Sequence, residues 1–194
     1  MRGWQALRKG LADTRPGRVV RNTELSSRPA SARTPAPTWA TLVATFFGAG
    51  RLQPGPGTWG SLAAVLLWWL LSRWIVPSWQ IPAAVVLAVV AVAAGIPAAT
   101  LVARALGRHD PSCVVIDEVA GQLITLTASP VSWKSLLLGF ILFRGFDIVK
   151  PPPVRNLEQL PDGWGIVLDD VAAGLYGLAI MQLVLHFTSI LPAS

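Results

Sequence analysis

A single cysteine, Cys113, is the only thiol in this chain. That excludes an internal disulfide and any metal cage built from cysteines. Charge is scarce too: 13% of the 194 residues are Asp, Glu, Lys or Arg, against about 25% in an ordinary soluble domain. No apolar core of signal-peptide type opens the sequence. No GK[ST] follows the Gly- and Pro-dense stretch around "PGPGT", which excludes a nucleotide P-loop.

What is abundant is apolar length. Hydrophobic residues make up 53% of the chain, and several runs approach the roughly 20 residues that a helix needs to cross a bilayer. The fold class expected is all-α, a polytopic membrane helical bundle with about four to five spans. Residues 39–49 are too short to span and read as an interfacial or re-entrant helix. The spans expected are 58–76, ended by Pro77; 82–103, kinked at Pro97; 112–129; 133–149; and 166–189, with the short 112–129 and 133–149 read either as two spans or as a tilted hairpin. The stretch 150–165, with its proline run, reads as a loop.

Eight basic residues against two acids place the whole net charge of +6 within residues 1–33, and the remainder balances. The stretch "RNTELSSRPASARTPAPT" has too little apolar surface to offset the entropy of ordering. Residues 1–37 therefore read as a disordered basic cytoplasmic tail, and 38–194 as the membrane-embedded domain. Alternating spans put the tail, Arg51, Arg104, Arg108, Lys150 and Arg155 on one side, with only Arg73 and Lys134 on the other. An excess of basic residues marks the cytoplasmic face. The nine Trp read as interfacial anchors.

The segment "VVIDEVAGQL", residues 114–123, sets Asp117 and Glu118 side by side in apolar surroundings with no basic neighbour. On this topology Asp117 and Glu118 open the third span, Arg144, Asp147 and Lys150 close the fourth, and Asp169 and Asp170 open the fifth. Every strongly polar cluster then meets one membrane face. A carboxylate inside a helix bundle costs about 2.5–3.5 kcal/mol on insertion scales and usually marks function. Five acids at one depth repel unless some stay protonated or a cation neutralises them. Oxygen ligands without cysteine suit a hard cation, Mg²⁺ first, with Mn²⁺ as a substitute.

Small or polar stripes, such as Glu118–Gly121–Gln122–Thr125 and Asp170–Ala173–Gly174–Gly177, permit close helix approach. Taken singly they are ordinary membrane-helix packing, and Arg144–Asp147 is equally a local ion pair. Arg144, Lys150 and Arg155 exceed what local pairing needs. Arginine grips phosphate oxygens in pairs, and the Gly57–Thr58 helix start offers free N–H groups to an anion. Carboxylates, a metal, Arg/Lys and an anion-binding helix start are equipment for phosphoryl transfer. His109 reads as a solvated loop residue.

Four blocks carry a resemblance: "PGTWGSLAA" (56–64), "VVIDEVAGQLITL" (114–126), "FRGFDIVKPPPVR" (143–155) and "GWGIVLDDVAAGLY" (163–176). Together they closely resemble the phosphatidylglycerophosphatase A family from about residue 40 to 190. The resemblance implies an Mg²⁺-dependent phosphatase of a bacterial inner membrane, its active site facing the cytoplasm. It would convert phosphatidylglycerol phosphate to phosphatidylglycerol and inorganic phosphate. Asp117, Glu118, Asp147, Asp169 and Asp170 would be the metal ligands, and the base would be one of Asp117, Glu118, Asp147 and Asp170. Arg144, Lys150 and Arg155 would clamp the phosphate, assisted by Arg51, Gly57 and Thr58. The partner implied is a phospholipid, with no nucleic acid, and a homo-oligomer is compatible with the sequence. The D-x-D-x-T pattern of soluble aspartyl phosphatases is absent, which favours water as the nucleophile over a covalent route. The alternative reading is an ion-coupled transporter using the same acids.

Overall fold

The computed structural model describes residues 34–152 and 154–187. The expected tail lies almost wholly outside them. Among the described residues there is no strand. The elements are α1 (Thr38–Ala44), a 3-10 turn (Ala49–Arg51), α2 (Pro56–Ser72), α3 (Pro77–Leu106), α4 (Ile116–Leu126), α5 (Trp133–Val149), α6 (Val154–Leu157) and α7 (Gly163–Phe187).

Local chemistry explains most of the boundaries. Gly55, at φ 72°, turns the chain into α2, and Pro56 takes the first helical position, where its missing N–H removes no bond. Pro77 likewise opens α3 and does not close the preceding span, which had already ended at Ser72. Pro97 sits inside α3, which continues through it to Gly107 in the left-handed conformation. Ser132 caps α5 by accepting from the Ser135 N–H at 3.3 Å. Lys150, at φ 47°, ends the same helix.

α4 lies at the centre. Nine of its eleven residues are buried, because α2, α3, α5 and α7 all pack on it. Phe143 of α5 and the Asp170 carbonyl of α7 close on Gly121. The Thr125 hydroxyl lies 3.1 Å from the carbonyls of Gly121 and Gly174, which joins α4 to α7.

Three further expectations are corrected. The apolar segment 112–129 is helical only over Ile116–Leu126, about 16 Å of rise, well short of a ~30 Å hydrocarbon core. The cause is tertiary. The Val115 N–H donates to the Ala44 carbonyl at 2.8 Å, with Val115 at φ −141°, so the chain before Ile116 is held out of the helix by α1. The acids Asp169 and Asp170 were expected at the start of the last helix, yet α7 begins at Gly163 and carries them in its second turn. By length and composition two helices suffice to cross a membrane, α3 with 30 residues and α7 with 25. α2 and α5, at 17 residues each, stand at the lower edge of the usual 17–25. The loop read at 150–165 contains the single-turn helix α6.

Candidate active site

The first turns of α2 and α4, the first two turns of α7, the end of α5, the loop before α4 and Glu158 line a cavity of about 230 Å³. Each element delivers its polar groups from one end. α4 presents Asp117 and Glu118 from its first turn. α5 presents Arg144 and Asp147 one turn apart on one face. α7 presents Asp169 and Asp170, both nearly excluded from solvent.

Seven acids line this space: Asp110, Asp117, Glu118, Asp147, Glu158, Asp169 and Asp170. They face two permanent cations, Arg144 and Lys150. Both cations are engaged. Arg144 donates to Asp147 through Nη1, and the same atom lies 4.0 Å from Glu118 Oε1. Lys150 Nζ donates to Asp169 Oδ2 at 2.8 Å and sits 3.4 Å from Glu158 Oε1. Burial works against the charge on Lys150, but the bond to Asp169 and the negative charges of Asp169, Glu158 and Asp147 together outweigh it, so the ammonium is held above its ordinary pKa.

Three of the other four acids form a compact group, with Asp110 apart from it. Asp117, Glu118 and Asp170 each offer an oxygen, and the three oxygens lie within 4.8 Å of one another. Glu118 Oε2 is buried without a hydrogen-bond partner among the described residues. Three carboxylates this close repel one another strongly. An orphaned buried carboxylate oxygen also costs roughly 1–3 kcal/mol or more. The donor set is all oxygen and matches a hard cation such as Mg²⁺, which takes one or two carboxylates, substrate phosphate and water.

The residues singled out in the sequence separate into three groups. Asp117, Glu118 and Asp170 form the triad. Asp147, Asp169, Arg144, Lys150 and Gly57 share the cavity wall, with the first four locked into two ion pairs. Arg51, Thr58 and Arg155 are exposed and do not line the cavity. Gly57 has a steric role: a Cβ built there would collide with the Glu118 carboxylate and come 3.1 Å from Arg144 Nη1. Sequence reading missed Asp110, Ser112 and Glu158 and set His109 aside as solvated, yet all four line the cavity. They lie in loops with no helical register to align them, although the "RHDPS" polar break was a visible signal.

The sequence matches the phosphatidylglycerophosphatase A family over residues 42–185, a span that contains every acid of the cavity. The chain belongs to that family and is a phosphatase. It is 37% identical to phosphatidylglycerophosphatase A of Haemophilus influenzae over 142 residues, 72% of this chain and 85% of the relative. It is 36% identical to the Escherichia coli protein of the same name over 147 residues, 75% of this chain and 83% of the relative. A Bacteroides thetaiotaomicron protein, provisionally named as a phosphatidylinositol-3-phosphatase, is 39% identical over 143 residues, 72% of this chain and 89% of the relative. No solved structure matches the chain.

Proposed function

We propose that this chain is a multi-pass phosphatase of a bacterial inner membrane. It would remove the terminal phosphate of phosphatidylglycerol phosphate, with Mg²⁺, at the cytoplasmic face. The observation that carries this reading is the compact triad of Asp117, Glu118 and Asp170, set beside Asp147 and Asp169, which are paired with cations. A phosphate dianion entering the cavity meets more acid than base, and both cations are already engaged. Asp117, Glu118 and Asp170 would hold a divalent cation, which would supply the missing positive charge for phosphoryl transfer. Arg144 and Lys150 then steady the phosphate oxygens, and a neighbouring carboxylate accepts the proton of the attacking water.

The surface supports a membrane setting. Trp74, Trp79 and Trp133 are exposed at the end of the bundle far from the cavity, and Trp59 and Trp164 at the near end. Two such aromatic sets suit the two water interfaces of a bilayer. Between them Leu62, Leu66, Val86, Val90, Leu137 and Ile141 face outward. The four to five crossings follow if α2, α3, α5 and α7 each cross and α4 crosses within their shelter, where irregular backbone is tolerated. The basic residues beside the cavity favour the cytoplasmic side for it. The lipid then has its chains in the bilayer and its phosphomonoester at the cavity mouth. The transporter reading has no support, since the acids gather at one end of the bundle.

The test is release of inorganic phosphate from phosphatidylglycerol phosphate by purified protein, with and without Mg²⁺, for wild type and Asp170→Asn. Both chelation and the substitution are expected to lower the rate by about 10²-fold or more. Rates indifferent to both would remove the metal assignment. Phosphatidylinositol 3-phosphate, assayed in parallel by thin-layer separation, decides the head group. Faster turnover of that lipid would reassign the substrate and leave the chemistry intact.

A further inference from the structure

Gln122 is wholly buried, and neither its amide nitrogen nor its amide oxygen has a hydrogen-bond partner among the described residues. A buried amide left unsatisfied is costly and calls for an explanation. Its position supplies one. Gln122 follows Glu118 by one helical turn, so both side chains leave α4 on the same face. That face looks at α5: Glu118 Oε1 lies 4.0 Å from Arg144 Nη1, and Gln122 Nε2 is 3.8 Å from a Cβ built on Gly139. Of the two Glu118 oxygens, Oε2 is the buried one without a partner. An unmatched acceptor and an unmatched donor therefore stack one turn apart, about 5.4 Å along the axis.

We propose that Gln122 is a positioning residue for Glu118. On this assignment, which rests on the metal reading given above, the Gln122 amide donates to Glu118 Oε2 and holds the carboxylate in the orientation in which Glu118, with Asp117 and Asp170, would hold the ion. A small rotation of the Gln122 side chain would make the bond. One hydrogen bond then satisfies two buried groups. It also supplies the outer support on which metal-binding carboxylates depend.

Mn²⁺ binding to the purified full chain, measured by calorimetry in detergent, tests this with wild type, Gln122→Leu and Gln122→Met. Both variants fill the volume with apolar atoms, so their unfolding temperature in chelator is expected to equal or exceed that of wild type. Their Mn²⁺ affinity is expected to fall about 10–100-fold. Saturating Mn²⁺ should return turnover to within about threefold of wild type, with KM for the lipid unchanged, a split that loosened packing would not produce. Mn²⁺ affinity within about twofold of wild type in both variants would overturn the role of Gln122 and leave the metal site standing. Failure of wild type itself to bind Mn²⁺ would overturn the metal reading and this role together.

Discussion

Gly174 of α7 lies so close to Gly121 of α4 that a Cβ built on Gly174 would stand 2.5 Å from the Gly121 carbonyl oxygen. The neighbour is backbone and cannot rotate aside. Gly174→Ala must part the two helices one turn below Asp170. It is expected to cost about 1–3 kcal/mol, the scale of overpacking a tight interior. Thermal unfolding in detergent reads it as a lower midpoint, with activity falling in parallel.

Gly57→Ala should behave differently. The groups that its Cβ meets are the ends of Glu118 and Arg144, which can swing away. Stability is expected to hold within about 1 kcal/mol, while kcat falls because those two ends belong to the cavity. Comparing kcat with the unfolding midpoint for the two glycine variants separates the effects.

Arg144 lines the cavity, whereas Arg51 and Arg155 do not. Arg144→Gln is expected to lower kcat/KM by about 10²–10³-fold, the loss seen when one donor to a developing anion is removed. Arg51→Gln and Arg155→Gln should each stay within about fivefold of wild type, the cost of an exposed charge near an anionic substrate. Equal losses at all three positions would move the phosphate site outward, toward the loops.

Lys150 gives a pH signature. Its folded-state pKa is raised, so its contribution to stability is complete below the unfolded-state value of about 10.4 and fades only as pH climbs beyond that. The stability gap between wild type and Lys150→Met should therefore be flat from about pH 8 to 10 and close above about pH 10. Chemical denaturation across that range measures it. A gap that closes near neutrality would show that Lys150 does not hold its proton.

Added Mg²⁺ or Mn²⁺ should raise the unfolding midpoint of wild type. An ion at about 100 times its Kd adds about 2.7 kcal/mol and relieves the repulsion within the triad. Asp170→Asn should lose that response while its midpoint in chelator rises, since one of three crowded charges is gone.

Some of this was legible in the sequence because it depends on local rules. The span 133–149 coincides with α5, since Ser132 caps it and an apolar run fills it. The five motif acids do share one cavity, as an alternating topology requires. What was not legible depends on contacts distant in sequence. Nothing in residues 112–115 announces that Ala44 will hold Val115 out of a helix. The spacing of Arg144 and Asp147 predicted a shared face, but not that Lys150 would turn away from its own helix to reach Asp169. Arg155 was grouped with Arg144 as a phosphate clamp, and Arg51 as an assistant, because composition does not say which way a side chain points.

The brevity of α4 carries a consequence for how such a centre survives in oil. A helix that carries two adjacent acids would be hard to insert alone, and α2, α3, α5 and α7 cover nine of the eleven residues of α4; on the proposed topology those four taller neighbours form a sleeve that keeps it from lipid. The machinery is thus housed in protein on every side except its mouth. Bilayers of different thickness should tilt the sleeve and leave the spacing of the acids within it untouched.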